Sequence, residues 1–158
     1  MPGAPAPDAG PPLLPWQGTV WRAVFRGANP LLPVTSPEGR FHHSGQTALY
    51  TSCTPEGCIV AIQRYLSPDD PPREIVPLQL APCLVADLRG RAAVSAVWQD
   101  IRAGGAAAPT WVWSDQARAA GAAGLLYSSR SAPALTHLAL FDAGLLAPAG
   151  AALPFPLR

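Results

Sequence analysis

The chain has 158 residues and a net charge of +1, with no lysine, so that all 11 basic residues are arginine. That length fits one domain with a single sizeable core. A near-neutral chain without basic runs argues against nucleic acid as its main partner, because affinity for phosphate backbones rests on clustered cations. Alanine, proline and glycine are also abundant, so the arginine bias is partly the mark of a GC-rich genome.

Residues 1 to about 15 carry six of the 20 prolines and are predicted to be a flexible or extended tail, leaving 16–158 as the folded domain. The N-terminus has neither a basic region nor an uninterrupted apolar core, and no apolar run reaches membrane-spanning length, so a cytoplasmic protein is expected. Cys53, Cys58 and Cys83 are odd in number and lack the paired spacing of a zinc site. They read as small buried apolar residues, and no metal is implied.

In chain order, Thr19–Phe25 is a predicted strand in which Arg22 sits among aromatic and β-branched residues, on a solvent face or in a polar cleft. A loop rich in glycine and proline runs from Arg26 to Glu38. Gly39 then suits a turn from which Arg40 projects its planar five-donor fork, a natural grip for an anion. Thr47–Ser52 is a predicted strand. Thr54, Pro55 and Glu56 read as N-cap, first-turn proline and acidic first turn of a helix over about Pro55–Leu66. Its Ile59, Ile62 and Leu66 are spaced to lay one apolar stripe on a core.

Beyond a surface loop, Ile75–Leu80 and Cys83–Leu88 read as two short strands separated by a proline-bearing break. Residues 89–108 are a variable helical or loop region with Trp98 as an anchor. Thr110–Ala120 suits a helix with Gly121 as its C-cap. Gly124–Tyr127 and His137–Phe141 are predicted strands, and the polar break Ser128–Ser131 between them is a second place for function.

Arg22, Arg40, Tyr50 and Ser129, each beside a strand and its turn, resemble the RES domain family, named for Arg, Glu and Ser. The resemblance covers most of residues 19–142: a Trp-Arg strand opening, GRF followed by ALYTS and a helix, an alanine-rich helix leading into GLLYSS, and the closing HLALF strand. It implies a compact α+β domain with a twisted, largely antiparallel sheet and flanking helices, similar to ADP-ribosyltransferases. It also implies a bacterial toxin that consumes NAD by hydrolysis, phosphorolysis or ADP-ribosyl transfer, and a protein antitoxin with a helix-turn-helix domain. On this reading Arg22 and Arg40 clamp the pyrophosphate, Tyr50 offers its ring to the nicotinamide, and Ser129 bonds a ribose hydroxyl or the amide. His42, His43 and His137 line the rim, although a structural or surface role comes first for each taken alone. Self-association stays open.

The sequence departs from the family pattern at its acid. A gapless reading brings Ala61 to the place of the family's glutamate, and Gln63, two positions along a helix, turns about 200° away. Glu56 belongs to the first helical turn, where it favours the helix dipole. Either another acid such as Asp115 or Asp142 reaches the pocket, or ring stacking and cations suffice, or activity is lost. The alternative to an enzyme is therefore a RES-like module that binds a nucleotide or an antitoxin-like protein without turnover. A third reading, a small core of unrelated function, requires Arg22, Arg40 and Ser129 to lie far apart.

Overall fold

The computed structural model describes residues 11–95 and 98–155, apart from the side chains of residues 98 and 100. The expected tail over residues 1–10 and the anchoring role of Trp98 therefore lie outside what is described. Seven strands form one sheet: β1 (Leu13–Phe25), β2 (Leu49–Ser52), β3 (Arg73–Asp87), β4 (Gly124–Ser128), β5 (Thr136–Leu140), β6 (Leu146–Pro148) and β7 (Leu153–Pro154). The helices are α1 (Pro55–Ile62), α2 (Trp98–Ala103) and α3 (Trp111–Ala119).

Neighbouring strands run β1-β2-β5-β4-β3, and β3 pairs back onto β1, so five strands close into a barrel. Every pairing is antiparallel except β3 with β4. The predicted largely antiparallel sheet is present, but its closure was not foreseen. Closure rests on the β1–β3 ladder, which joins Leu13 to Ala86 at one end and Phe25 to Arg73 at the other. β1 consequently begins at Leu13, so Leu13–Pro15 belong to the barrel and not to a tail.

The two short strands predicted around residues 75–88 are one strand, β3. Pro82 is accommodated because Ala81 and Pro82 fall at the register shift opposite Gln17, where the ladder needs no N–H from that residue. Gly18, with φ of +117°, supplies the bend on the β1 side.

Side chains alternate between two cores. Leu49, Leu126, Leu138 and Leu140 pack inside the ring with Val20, Leu78 and Leu80. The intervening Leu125, Tyr127 and Ala139 face outward and pack with Phe41, Leu88, Val94 and the α3 residue Ala117. Each fully buried leucine stabilises the fold by about 1.5–3 kcal/mol relative to exposure. β4 is covered on both faces, which explains its unbroken apolar reading.

Helix α1 starts as predicted: Thr54 Oγ1 accepts the Gly57 N–H at 3.1 Å, Pro55 opens the helix and Glu56 lies in its first turn. Its end differs. The helix stops at Ile62 and tightens into a 3₁₀ turn over Gln63–Tyr65, so the expected Ile59–Ile62–Leu66 stripe does not form. Gly57 and Cys58 are the buried residues instead, and Leu66 is 42% exposed. Gly57 is required there because a Cβ would lie 2.9 Å from Ser52 Cβ on β2.

Candidate active site

The register aligns one row of side chains across four strands. Trp21 of β1 pairs with Ser52 of β2, Ser52 with His137 of β5, and His137 with Tyr127 of β4. This row is the floor of a cavity of about 910 Å³, and Tyr50, two residues before Ser52, extends it. The walls come from the turn at residues 38–42, from α1 and its 3₁₀ extension, and from the Ser129–Ser131 turn.

The turn carrying Arg40 is held from behind by α3 and the residue before it. The carbonyls of three consecutive residues each accept a side-chain donor: Gly39 from Trp111 Nε1 at 2.8 Å, Arg40 from Thr110 Oγ1, and Phe41 from Arg118 Nη2 at 2.8 Å. Gly39 N–H also donates to the His42 carbonyl at 3.0 Å. With its backbone clamped, Arg40 sends its guanidinium over the Tyr127 ring, 5.7 Å from the centroid. Among the described residues no protein acceptor engages that guanidinium, so its donors remain available to a ligand. Thr110 thus serves the turn and makes no cap to α3.

Tyr50 is fixed through its hydroxyl. The oxygen accepts the Phe41 N–H at 2.9 Å and lies 2.8 Å from His42 Nδ1. His42 Nε2 faces the Ser36 carbonyl at 2.9 Å, which can only accept, so Nε2 carries the proton and Nδ1 accepts from Tyr50. Burial pushes the Tyr50 phenol well above its ordinary value, so it stays protonated. His42 is buried on the cavity wall with both nitrogens spent on the scaffold.

Arg22 also lines the cavity, but its Nη1 donates to the carbonyls of Pro30 at 2.7 Å and Leu32 at 2.5 Å. It ties the 26–38 loop down, its Nε and Nη2 make no hydrogen bond among the described residues, and burial lowers its pKa. Ser129 is buried; its Oγ accepts the Ala132 N–H at 3.2 Å, leaving the hydroxyl proton free to donate. Arg22, Arg40, Tyr50, Ser129 and His42 therefore share one cleft, which removes the reading of a core in which the arginines and serine lie apart.

Other expected candidates lie elsewhere. His43 stacks on Trp111 at 4.4 Å and bonds Asp115 through Nε2 at 3.0 Å, outside the cavity. Asp142 accepts the Gly144 N–H at 2.8 Å and also lies outside. Ala61 does line the cavity, and so does Gln63, because the 3₁₀ turn changes the rotation that a continuous helix would have given it.

Sequence reasoning did not single out Tyr127, Ser52 or Glu38. Among the described residues Glu38 is the one carboxylate on the cavity wall, and Arg102 of α2 grips it with two 2.8 Å hydrogen bonds. These bonds hold its carboxyl below the usual range. His137 Nδ1 lies 2.7 Å from Ser52 Oγ; burial, with Arg40 nearby, depresses its pKa to about 4, so the ring is neutral near pH 7. Burial pushes the Cys58 thiol to about 12 and also raises Cys53 and Cys83, as suits inert packing residues. No group of three or more metal-ligating side chains occurs among the described residues, and no helix among them is long and apolar enough to cross a membrane.

A small closed barrel flanked by a cleft that free and half-engaged arginines, tyrosine rings and a buried serine line defines an α+β domain whose cleft offers cationic donors beside aromatic surfaces. The model of the RES domain matches residues 19–158, and the chain belongs to that family. No match was found among curated proteins. A chain of the crystal structure of the M. tuberculosis MbcT–MbcA toxin–antitoxin complex shares the fold, with a TM-score of 0.63 and 14% identity over 90% of this chain and 86% of that one.

Proposed function

We propose that this protein cleaves the nicotinamide–ribose bond of NAD and acts as the toxin of a bacterial toxin–antitoxin pair. The observation that carries the reading is Arg40: a cation with a clamped backbone and free donors, standing over an aromatic floor in a cleft of dinucleotide size. Arg40 and the free donors of Arg22 hold the pyrophosphate. The Tyr50 ring, fixed by its spent hydroxyl, stacks on the nicotinamide, and Ser129 donates to a ribose hydroxyl or the amide. As the C–N bond lengthens, the pyridinium takes the bonding pair and becomes neutral, while positive charge develops on the ribose.

Membership of the RES family and a fold shared with a chain of a toxin–antitoxin complex support this reading. We extend it to an ADP-ribosyltransferase-like architecture, a cytoplasmic site of action, and neutralisation by a protein antitoxin carrying a helix-turn-helix domain. The test is NAD loss and nicotinamide release by the purified protein, with Arg40→Ala as the control; persistence of NAD with and without phosphate contradicts it.

One observation favours a second reading, a nucleotide-binding or antitoxin-binding module without turnover. Ala61, which the gapless reading sets at the place of the family's glutamate, lines the cavity without a carboxylate, and the Glu38 carboxylate is already paired with Arg102. On that reading NAD raises the melting temperature without being consumed.

A further inference from the structure

His137 and Ser52 are adjacent in the floor row, and neither has a part in gripping the dinucleotide as described above. Ser52 Oγ lies 2.7 Å from His137 Nδ1, and both residues are buried. In the tautomer whose Nδ1–H donates to Ser52 Oγ, the lone pair is left on Nε2. Among the described residues Nε2 has no hydrogen-bond partner, and His137 lines the cavity between Tyr127 and Ser52. The ring is 4% exposed and set against Tyr127 at a centroid distance of 5.2 Å, so its orientation is fixed from two sides. An oriented imidazole with one anchored and one open nitrogen is the arrangement a general base requires.

We propose that His137 is the general base for water attack on the ribose, with Ser52 as its positioning residue. This rests on the NAD reading above. Water oxygen forms the new bond to the anomeric carbon as the carbon–nitrogen bond to nicotinamide breaks; the departing base keeps the bonding pair, and the water proton passes to His137 Nε2. Phosphate dianion, as the alternative acceptor, brings an unprotonated oxygen and needs no base. His137 therefore governs which product forms. The neutral ring near pH 7 is consistent with this, the groups facing it being Tyr127 from β4, Ser52 from β2 and Arg40 from the turn.

The experiment follows ADP-ribose and ADP-ribose phosphate formed from NAD at graded phosphate concentrations by wild type, His137→Gln and Ser52→Ala. The expected result is a ratio of hydrolysis to phosphorolysis reduced about tenfold or more in His137→Gln and about threefold or more in Ser52→Ala. ADP-ribose affinity stays within about threefold of wild type. An unchanged ratio, with both products lost equally, overturns the assignment, as does a wild type that forms no ADP-ribose at any phosphate concentration. Failure of the NAD reading itself is distinct, because wild type then releases no nicotinamide. Should His137→Gln not fold, the ratio in Ser52→Ala decides.

Discussion

The Tyr50 hydroxyl and His42 Nδ1 lie 2.8 Å apart, with Tyr50 donating to a ring whose other nitrogen is anchored on the Ser36 carbonyl. Because the same hydroxyl accepts the Phe41 N–H, it ties β2 to both residues that follow Arg40. Tyr50→Phe deletes these bonds and keeps the ring. It should destabilise the protein by about 1–3 kcal/mol in denaturant unfolding. NAD binding should change little, whereas Tyr50→Ala should weaken it strongly.

Gly39 sits where a Cβ would overlap the His42 ring and come within 2.8 Å of the Tyr50 hydroxyl. Gly39→Ala must push the turn away from β2, at a cost of about 1–3 kcal/mol. Urea midpoints measure that cost, and a midpoint equal to wild type contradicts the packing described.

Stability should also depend on pH through His137. Its pKa falls from 6.5 to about 4 on folding, so between these values the unfolded chain binds more protons. The penalty is absent above pH 6.5, grows as pH falls towards 4 and is constant below, reaching about 3 kcal/mol by linkage. Replacing His137 by Gln should flatten the stability profile in that window. Carboxylates held down by arginine, such as Glu38 and Asp87, keep their contribution through that window and lose it at lower pH, as pH falls below their ordinary values of 4.5 and 3.8 and through their lowered folded values.

Ala61 is exposed on the cavity wall, so a longer side chain there has room. Ala61→Glu places a carboxylate where the gapless reading of the family pattern puts its glutamate, against a helix-dipole cost of about 0.3–1 kcal/mol. NAD turnover should rise about tenfold or more if that carboxylate supports the developing ribose charge. Unchanged turnover indicates that cations and stacking suffice.

Local chemistry was legible in the sequence where it is decided locally. The Thr54–Pro55 helix start, the positive-φ Gly121 (+82°) that follows the Ala120 C-cap of α3, and strands β2, β4 and β5 all follow from capping, turn and alternation rules. The convergence of Arg22, Arg40, Tyr50 and Ser129 was legible only through the family resemblance. What stayed hidden depends on pairing between distant segments. Nothing local to Leu13 announces Ala86 as its partner, so barrel closure and the continuity of β3 through Pro77 and Pro82 were missed. The Trp21–Ser52–His137–Tyr127 row has the same origin, since register across four strands joins residues up to 116 positions apart. The 3₁₀ ending of α1, which brings Gln63 to the cleft, likewise left no mark in the spacing of Ile59, Ile62 and Leu66.

The most direct measurement is NAD consumption by the purified protein beside Arg40→Ala, with and without inorganic phosphate. Release of nicotinamide by wild type, reduced about 100-fold or more in the variant, is the predicted result, on the scale of removing one preorganised donor from a site of developing charge. NAD that persists under both conditions, with no protein acceptor labelled in lysate, contradicts the account and leaves a binding domain.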